Sequence, residues 1–228
     1  MRLGMPQRTA KLAASILSAD FAHLADEIKR VESDLDLIHV DNMDAHFVPP
    51  LCLGAVIVAS LRRVTDLPLH CHLMVERPVE LLRDFAEAGA DIVSMHMECA
   101  DEPERAVKEA AAHGLRAGLA VSPQTPVESV FPFLDDLDRV LVMSVRPGWS
   151  GQSFLENALP KIEGARTEID RRGLNVEIEV DGGINTETGA RCVAAGATVL
   201  TAASSIFKAP DMGEAAHRLA QMAKGVSV

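Results

Sequence analysis

The chain repeats one pattern eight times: a short apolar run, then a segment whose apolar residues recur at helical spacing. The runs fall at residues 12–17, 35–40, 68–74, 92–95, 115–121, 140–143, 176–180 and 198–201 and read as strands. The helical segments fall at 19–31, 55–64, 79–88, 103–113, 127–131, 154–172, 186–195 and 212–223. Asp20 is the expected N-cap of the first, with Phe21, Leu24 and Ile28 on one face. Pro78 and Pro103 open later helices, and Gly89, Gly114, Gly173 and Gly196 close them. Alternation at this period builds βαβ units and a parallel sheet. Eight such units in 228 residues suit an α/β fold of one kind, a single (β/α)8 TIM barrel. An open doubly wound sheet is the alternative. That fold usually carries a glycine fingerprint after its first strand, and Ser15-Ile16-Leu17-Ser18 is not one. No linker interrupts the pattern, so one domain over residues 11–228 is expected, after a poorly ordered extension over 1–10.

In such a barrel, function gathers at the C-terminal ends of the strands. His39, Asp41 and Met43 stand at steps of two, which on a strand point to one face. Ser15 ends the first strand, His72 the third and Asp181 the seventh. Two histidines and two aspartates at one rim make a mixed N/O set. It suits a single divalent ion: zinc, iron(II), manganese or cobalt. Glycines crowd the adjoining loops, in Pro147-Gly148-Trp149-Ser150-Gly151-Gln152 and in Gly182-Gly183. Thr201-Ala202-Ala203-Ser204-Ser205 follows the eighth strand. The loops after strands seven and eight are the usual phosphate site of this architecture, and backbone N–H groups bind an anion there without basic side chains. Met43, Met74 and Met143 read either as core filling or as an apolar collar that keeps water from a developing anion.

A net charge of −11 argues against nucleic acid or an anionic membrane as partner. No apolar run approaches the roughly 20 residues of a membrane span. The first ten residues hold no apolar run of signal-peptide length, so a cytoplasmic location is expected. The four cysteines, Cys52, Cys71, Cys99 and Cys192, show no C-x-x-C spacing and read as reduced thiols. Association into a homo-oligomer is expected of a barrel of this kind, although the helices show no readable seam.

Several segments, taken in order, resemble the ribulose-phosphate 3-epimerase family over about residues 11–207. They are Ser15-Ile16-Leu17-Ser18-Ala19-Asp20-Phe21, His39-Val40-Asp41 with Met43-Asp44 and Phe47-Val48-Pro49, and His72-Leu73-Met74-Val75. Then come Pro123 with Thr125-Pro126, Pro147-Gly148 with Gly151-Gln152 and Phe154, and Val180-Asp181-Gly182-Gly183-Ile184. The resemblance implies a (β/α)8 barrel and metal ligands at His39, Asp41, His72 and Asp181. It implies that Asp41 and Asp181 are the acid/base pair on opposite faces of a phosphorylated ketose, inverting C3 through an enediolate. D-ribulose 5-phosphate and D-xylulose 5-phosphate are the default pair, which places the reaction in the pentose phosphate pathway. Another ketose phosphate, such as allulose 6-phosphate or a tetrulose phosphate, is the runner-up. A non-catalytic sugar-phosphate-binding barrel is the rival from another class. The resemblance further implies that Ser15 and His72 contact the sugar. The phosphate would lie on Gly151, Gly182, Gly183, Ala203 and Ser204, with Gly148 and Gln152 as further substrate-binding residues.

The chain departs from the family pattern at several positions. Asn42 stands where valine is usual, Ala45 for glycine, Pro50 for asparagine and His70 for aspartate. Ser122 and Arg146 replace asparagine, Trp149 replaces phenylalanine, and Ser150 and Ala203 replace glycine. Asn42, Arg146 and Trp149 are the candidate specificity positions. His70 is expected to be a supporting group below His72, not a fifth ligand.

Overall fold

The computed structural model describes residues 9–225. Its strands are β1 (Lys11–Ser15), β2 (Leu37–Asp44), β3 (Leu51–Cys52), β4 (Leu69–Met74) and β5 (Ile92–His96), followed by β6 (Arg116–Val121), β7 (Arg139–Met143), β8 (Glu177–Asp181) and β9 (Val199–Ala202). Parallel pairing runs β1-β2-β4-β5-β6-β7-β8-β9 and returns to β1, so eight strands close a barrel. β3 lies outside the ring as a two-residue antiparallel partner of β2. The helices are α1 (Leu24–Val31), α2 (Ala55–Arg62), α3 (Leu82–Glu87), α4 (Pro103–Ala112), α5 (Ala158–Arg172), α6 (Thr186–Ala195), α7 (Ser204–Phe207) and α8 (Met212–Ala223). The fold expected from the sequence is the fold observed.

Strands buried on both faces need apolar residues at nearly every position, and β4 and β5 are buried throughout. The outward residues, among them Val40, Leu73 and Val93, pack with helix residues such as Ile28, Leu61, Phe85, Ile162 and Leu219 in one continuous core. The inward residues form layers. Ala13, Leu37, Ile92 and Val199 close the N-terminal end of the barrel. Above them lies a buried polar layer of His39, His70, Ser94, Arg139, Glu179 and Thr201. Arg139 is 2% exposed; it pairs with Glu179 and lies 2.5 Å from Glu177 Oε2. Gly118 makes room for it, because a Cβ at 118 would stand 2.7 Å from Arg139 Cγ and collide with Ser94 Oγ.

Element ends differ from expectation where the backbone turns early. Strand one stops at Ser15, and Ile16–Ser18 form a 3-10 turn in place of the strand expected to 17. Asp20 does not cap α1. It accepts from Ala22 N in the preceding turn, and the helix begins at Leu24, so Phe21 stays outside it and half exposed. Strand two continues to Asp44 instead of ending at 40, which sets both His39 and Asp41 within the sheet. The segment expected as a helix at 127–131 is a 3-10 run, Val127–Asp136, with Pro132 inside it. The longest helix begins at Ala158, not 154, because Leu155 N donates to Ser144 O and ties the preceding loop to the barrel. The expected extension over 1–10 lies for the most part outside the described residues. Ala10 is described; it is buried and donates to Ala223 O.

Candidate active site

Parallel register assembles the polar residues at one rim. His39 pairs with Ser15 on one side and His70 on the other, Asp41 pairs with His72, and Asp181 pairs with Met143 and Thr201. Alternation then turns His39, Asp41, His72 and Asp181 inward. One ligand atom from each lies within 4.8 Å of all the others. His39 Nε2 is 3.3 Å from Asp41 Oδ1 and 3.8 Å from Asp181 Oδ2. His72 Nδ1 is 3.0 Å and 3.8 Å from the same two oxygens. Ser15 Oγ donates to Asp41 Oδ2 at 2.6 Å.

The donor set fits a divalent cation. It offers two imidazole nitrogens and two carboxylates, facing one point and almost wholly buried. The far ring nitrogen of His39 is also engaged. Its Nδ1–H donates to Glu179 Oε1 at 2.8 Å, which leaves the Nε2 lone pair facing the cluster. Thr201 Oγ1 donates to the same Glu179 oxygen, and Arg139 pairs with its other oxygen.

The electrostatics separate the two aspartates. Burial, then the Asp41 charge, pushes Asp181 up to about 7. Burial also works to raise Asp41, but the His39 charge and hydrogen bonds from His39 and His72 outweigh it and hold Asp41 well below the usual carboxylate range. Burial alone would depress His39; the Asp41 charge, with Glu179 and Asp181, overcomes it and raises the ring's affinity for a proton, whose place on Nε2 a bound cation would take. The same field attracts any cation. Burial drives His72 down to about 4, with Asp41 offsetting only part of it. His70 is driven down to about 3 by burial and stays neutral between Glu179 and Ser94.

A cleft of about 470 Å³, open solvent included, rises from Asp41 and Asp181. It is lined by Ser15, by Met43, Met74 and Met143, and by residues 145–152 and 182–184 with Ala203 and Ser204. Gly148, Gly151, Gln152, Gly182, Gly183, Arg146 and Trp149 therefore all meet there. Gly183 has φ 62°, and a Cβ on it would sit 2.6 Å from Phe154 N, so only glycine lets the two loops approach. The Gln152 amide is spent on its own loop, donating to Arg146 O and Trp149 O. Trp149 is 62% exposed.

Asn42 does not reach the cleft. It is the outward residue between His39-Asp41 and Met43, buried at 2%, and its amide bridges Val40 O and Gly54 N. His72 stands behind the cleft with the cluster and does not line it. Sequence reasoning missed Glu179, Arg139, His96 and Glu98. Glu179 was visible as the residue two before Asp181 on the inward face. His96 lay one residue beyond the expected strand end. Arg139, at the start of its strand, reads as a surface residue. The four-residue helix α7, directly after Ala203, was also missed.

Comparison with known proteins bears on this rim. The model of the family described as "Ribulose-phosphate 3 epimerase family" matches residues 11–207. A ribulose-phosphate 3-epimerase of Bacillus subtilis (strain 168) is 46% identical over 207 residues, covering 90% of this chain and 95% of that protein. One of Mycobacterium tuberculosis (strain ATCC 25618 / H37Rv) is 42% identical over 217 residues, covering 95% and 94%. The chloroplastic ribulose-5-phosphate-3-epimerase of Arabidopsis thaliana is 44% identical over 207 residues, covering 90% and 74%. Among solved structures, a 3-hexulose-6-phosphate synthase superposes with a TM-score of 0.73 at 19% identity, covering 95% of this chain and 100% of that one. The orotidine 5'-phosphate decarboxylase of Pyrococcus horikoshii OT3 gives 0.70 at 18% identity, covering 94% and 100%. At such identity these two share the fold alone.

Proposed function

The chain belongs to the ribulose-phosphate 3-epimerase family and is an isomerase acting on carbohydrates, and from that premise we propose that it inverts C3 of a ketose phosphate by two-base proton transfer. The default substrate pair is D-ribulose 5-phosphate and D-xylulose 5-phosphate. The observation that carries this reading is the meeting of two carboxyl groups of opposite disposition, Asp41 and Asp181, at the floor of one cleft. A carboxylate kept ionised is a base, and one raised toward neutrality is an acid; environments that push two such groups apart assign an acid/base pair.

His39, Asp41, His72 and Asp181 would hold a divalent ion, from among zinc, iron(II), manganese and cobalt. When bound, it would supply Lewis-acid stabilisation of negative charge on the substrate oxygens. Asp41 or Asp181, according to direction, removes the C3 proton, and the other returns a proton to the opposite face. Two groups are needed because one alone tends to replace the proton where it was. Ser15, already bonded to Asp41, orients that carboxylate and reaches the cleft. Met43, Met74 and Met143 wall the cleft with apolar surface and limit water beside the carbanionic carbon. Backbone N–H groups at Gly151, Gly182, Gly183, Ala203 and Ser204 suit the phosphate, with Gly148 and Gln152 shaping that loop. A cytoplasmic location agrees with four free cysteines, and a homo-oligomer is part of the same proposal.

Arg146 lining the cleft favours a second reading, in which another ketose phosphate is preferred. A panel of ketose phosphates incubated in deuterated water distinguishes the readings. The ribulose/xylulose pair should turn over fastest and acquire deuterium at C3. Faster inversion of allulose 6-phosphate or a tetrulose phosphate would replace the default. Binding of every member without C3 exchange would mark a non-catalytic barrel.

A further inference from the structure

The second imidazole of the cluster has an unusual partner. His72 turns Nδ1 to the two aspartates and Nε2 to another imidazole, 2.9 Å from His96 Nε2. The two ring planes are inclined by 28° with centroids 5.0 Å apart, so the rings meet through their nitrogens, and both are wholly buried. His96 ends β5, one strand beyond His72 in the ring. Its other nitrogen, Nδ1, lies 2.9 Å from Glu98 Oε2. Glu98 sits at the rim with its side chain 27% exposed, and its other oxygen accepts from Thr125 Oγ1 and, at 2.9 Å, from Ser122 N. No part of this chain of contacts touches the cleft.

Were a cation to take the place of the His72 Nδ1 proton beside Asp41, the proton positions along this chain of contacts would follow by elimination. An ionised carboxylate only accepts, and a neutral imidazole has one donor and one acceptor. Burial works to raise Glu98, but the hydrogen bonds it accepts from His96, Thr125 and Ser122 outweigh it and hold the carboxyl down to about 2. His96 Nδ1 must then be the donor to Glu98, so His96 Nε2 accepts and His72 Nε2 donates. That leaves the lone pair of His72 on Nδ1, facing Asp41 and Asp181. The opposite assignment would set a bare His96 Nδ1 against the Glu98 carboxylate at 2.9 Å.

We propose that His96 and Glu98 are positioning residues that fix the tautomer of His72, so that a carboxylate at the rim presents the His72 Nδ1 lone pair to the cation site. The two histidines of the site are thus held in different ways. His39 rests directly on buried Glu179, whereas His72 rests on Glu98 through an intervening ring. Partners of this kind commonly change metal affinity by about 10- to 100-fold when removed.

The inference rests on the reading of the four-residue cluster as a cation site, so its test has one arm that needs no metal. Long-range proton–nitrogen correlation spectra of the imidazoles, recorded on metal-free protein, should place the His96 proton on Nδ1 and leave Nε2 bare. A His96 proton on Nε2 would overturn the proposal. In the second arm, cobalt(II) is titrated into the metal-stripped full chain, and its visible absorption reports both affinity and ligand geometry. His96→Leu should weaken cobalt(II) binding by about 10- to 100-fold and change the spectrum. His96→Gln, whose amide oxygen can accept from His72 Nε2, should restore affinity to within about threefold. Glu98→Ala, at the rim, provides the same comparison if His96→Leu does not fold. Wild-type affinity in the Leu and Ala variants, or a Gln variant as weak as Leu, would overturn the proposal. Failure of the wild-type chain to bind cobalt(II) would count against the cation-site reading alone, while the metal-free spectra would still decide the tautomer.

Discussion

In the proposed mechanism Asp41 and Asp181 each have two duties, as cation ligands and as proton carriers, and one substitution removes both. Asp41→Asn and Asp181→Asn should each lower epimerisation by about 100- to 10,000-fold, measured with metal analysis of the same samples. Full activity in either variant would remove that residue from the mechanism. Gly118 is constrained by space alone. Gly118→Ala should lower stability by about 1–3 kcal/mol through the collision with Ser94 and Arg139, read as a fall in the denaturant midpoint. The inward residues of the site were legible in the sequence because steps of two need no knowledge of partners: His39 with Asp41, and His72 and Asp181 at the ends of their strands. Glu179 obeyed the same rule but has no direct place in the cleft, and so carried no chemical signal. Asn42 drew notice as a departure from the family pattern, yet the same alternation turns it to the helices. Its amide oxygen there accepts from Gly54 N, so a substitution should be felt first in the Gly54 turn.

At the level of elements, strand and helix order could be read from the sequence because every unit had to cover both faces of the barrel. Ends were less legible, since they depend on single hydrogen bonds. Asp20 and Asn185 are both good capping residues, but only Asn185 caps. It accepts from Glu187 N and Thr188 N, while Thr188 Oγ1 accepts from Asn185 N. Asn185→Ala should therefore destabilise the protein by about 1 kcal/mol, whereas Asp20→Ala should cost α1 no cap; thermal unfolding of the pair checks the contrast. The 3-10 run Val127–Asp136 escaped because Pro132 breaks regular bonding without ending the turn pattern. β3 is two residues long, below the length at which alternation can be read.

The whole molecule joins its polar interior to its rim, and acid should act there first. Glu98 is held down to about 2 in the folded protein against an ordinary 4.5. Between these values the unfolded chain takes up a proton that the folded chain refuses. The contribution is thus complete above about 4.5 and is lost as pH falls toward 2. Glu98→Gln should flatten acid unfolding in that window, followed by circular dichroism; an unchanged acid limb would exclude Glu98 as a contributor. Deeper in the barrel, Arg139 and Glu179 could not be paired from the sequence, since 40 residues separate them. Their meeting depends on neighbouring strands both turning those positions inward. Arg139→Met alone leaves a buried carboxylate and should cost about 3–5 kcal/mol. Adding Glu179→Gln should recover part of that loss in equilibrium unfolding. The same cluster limits how this sequence can change over generations. A larger residue at 118 has no room beside Arg139, an apolar residue at 139 leaves the buried Glu179 carboxylate without its guanidinium, and loss of Glu179 leaves Arg139 only Glu177 as an acidic partner. Positions 118, 139 and 179 can drift only in concert, so descendants of this chain that lose the arginine should carry compensating changes at its neighbours.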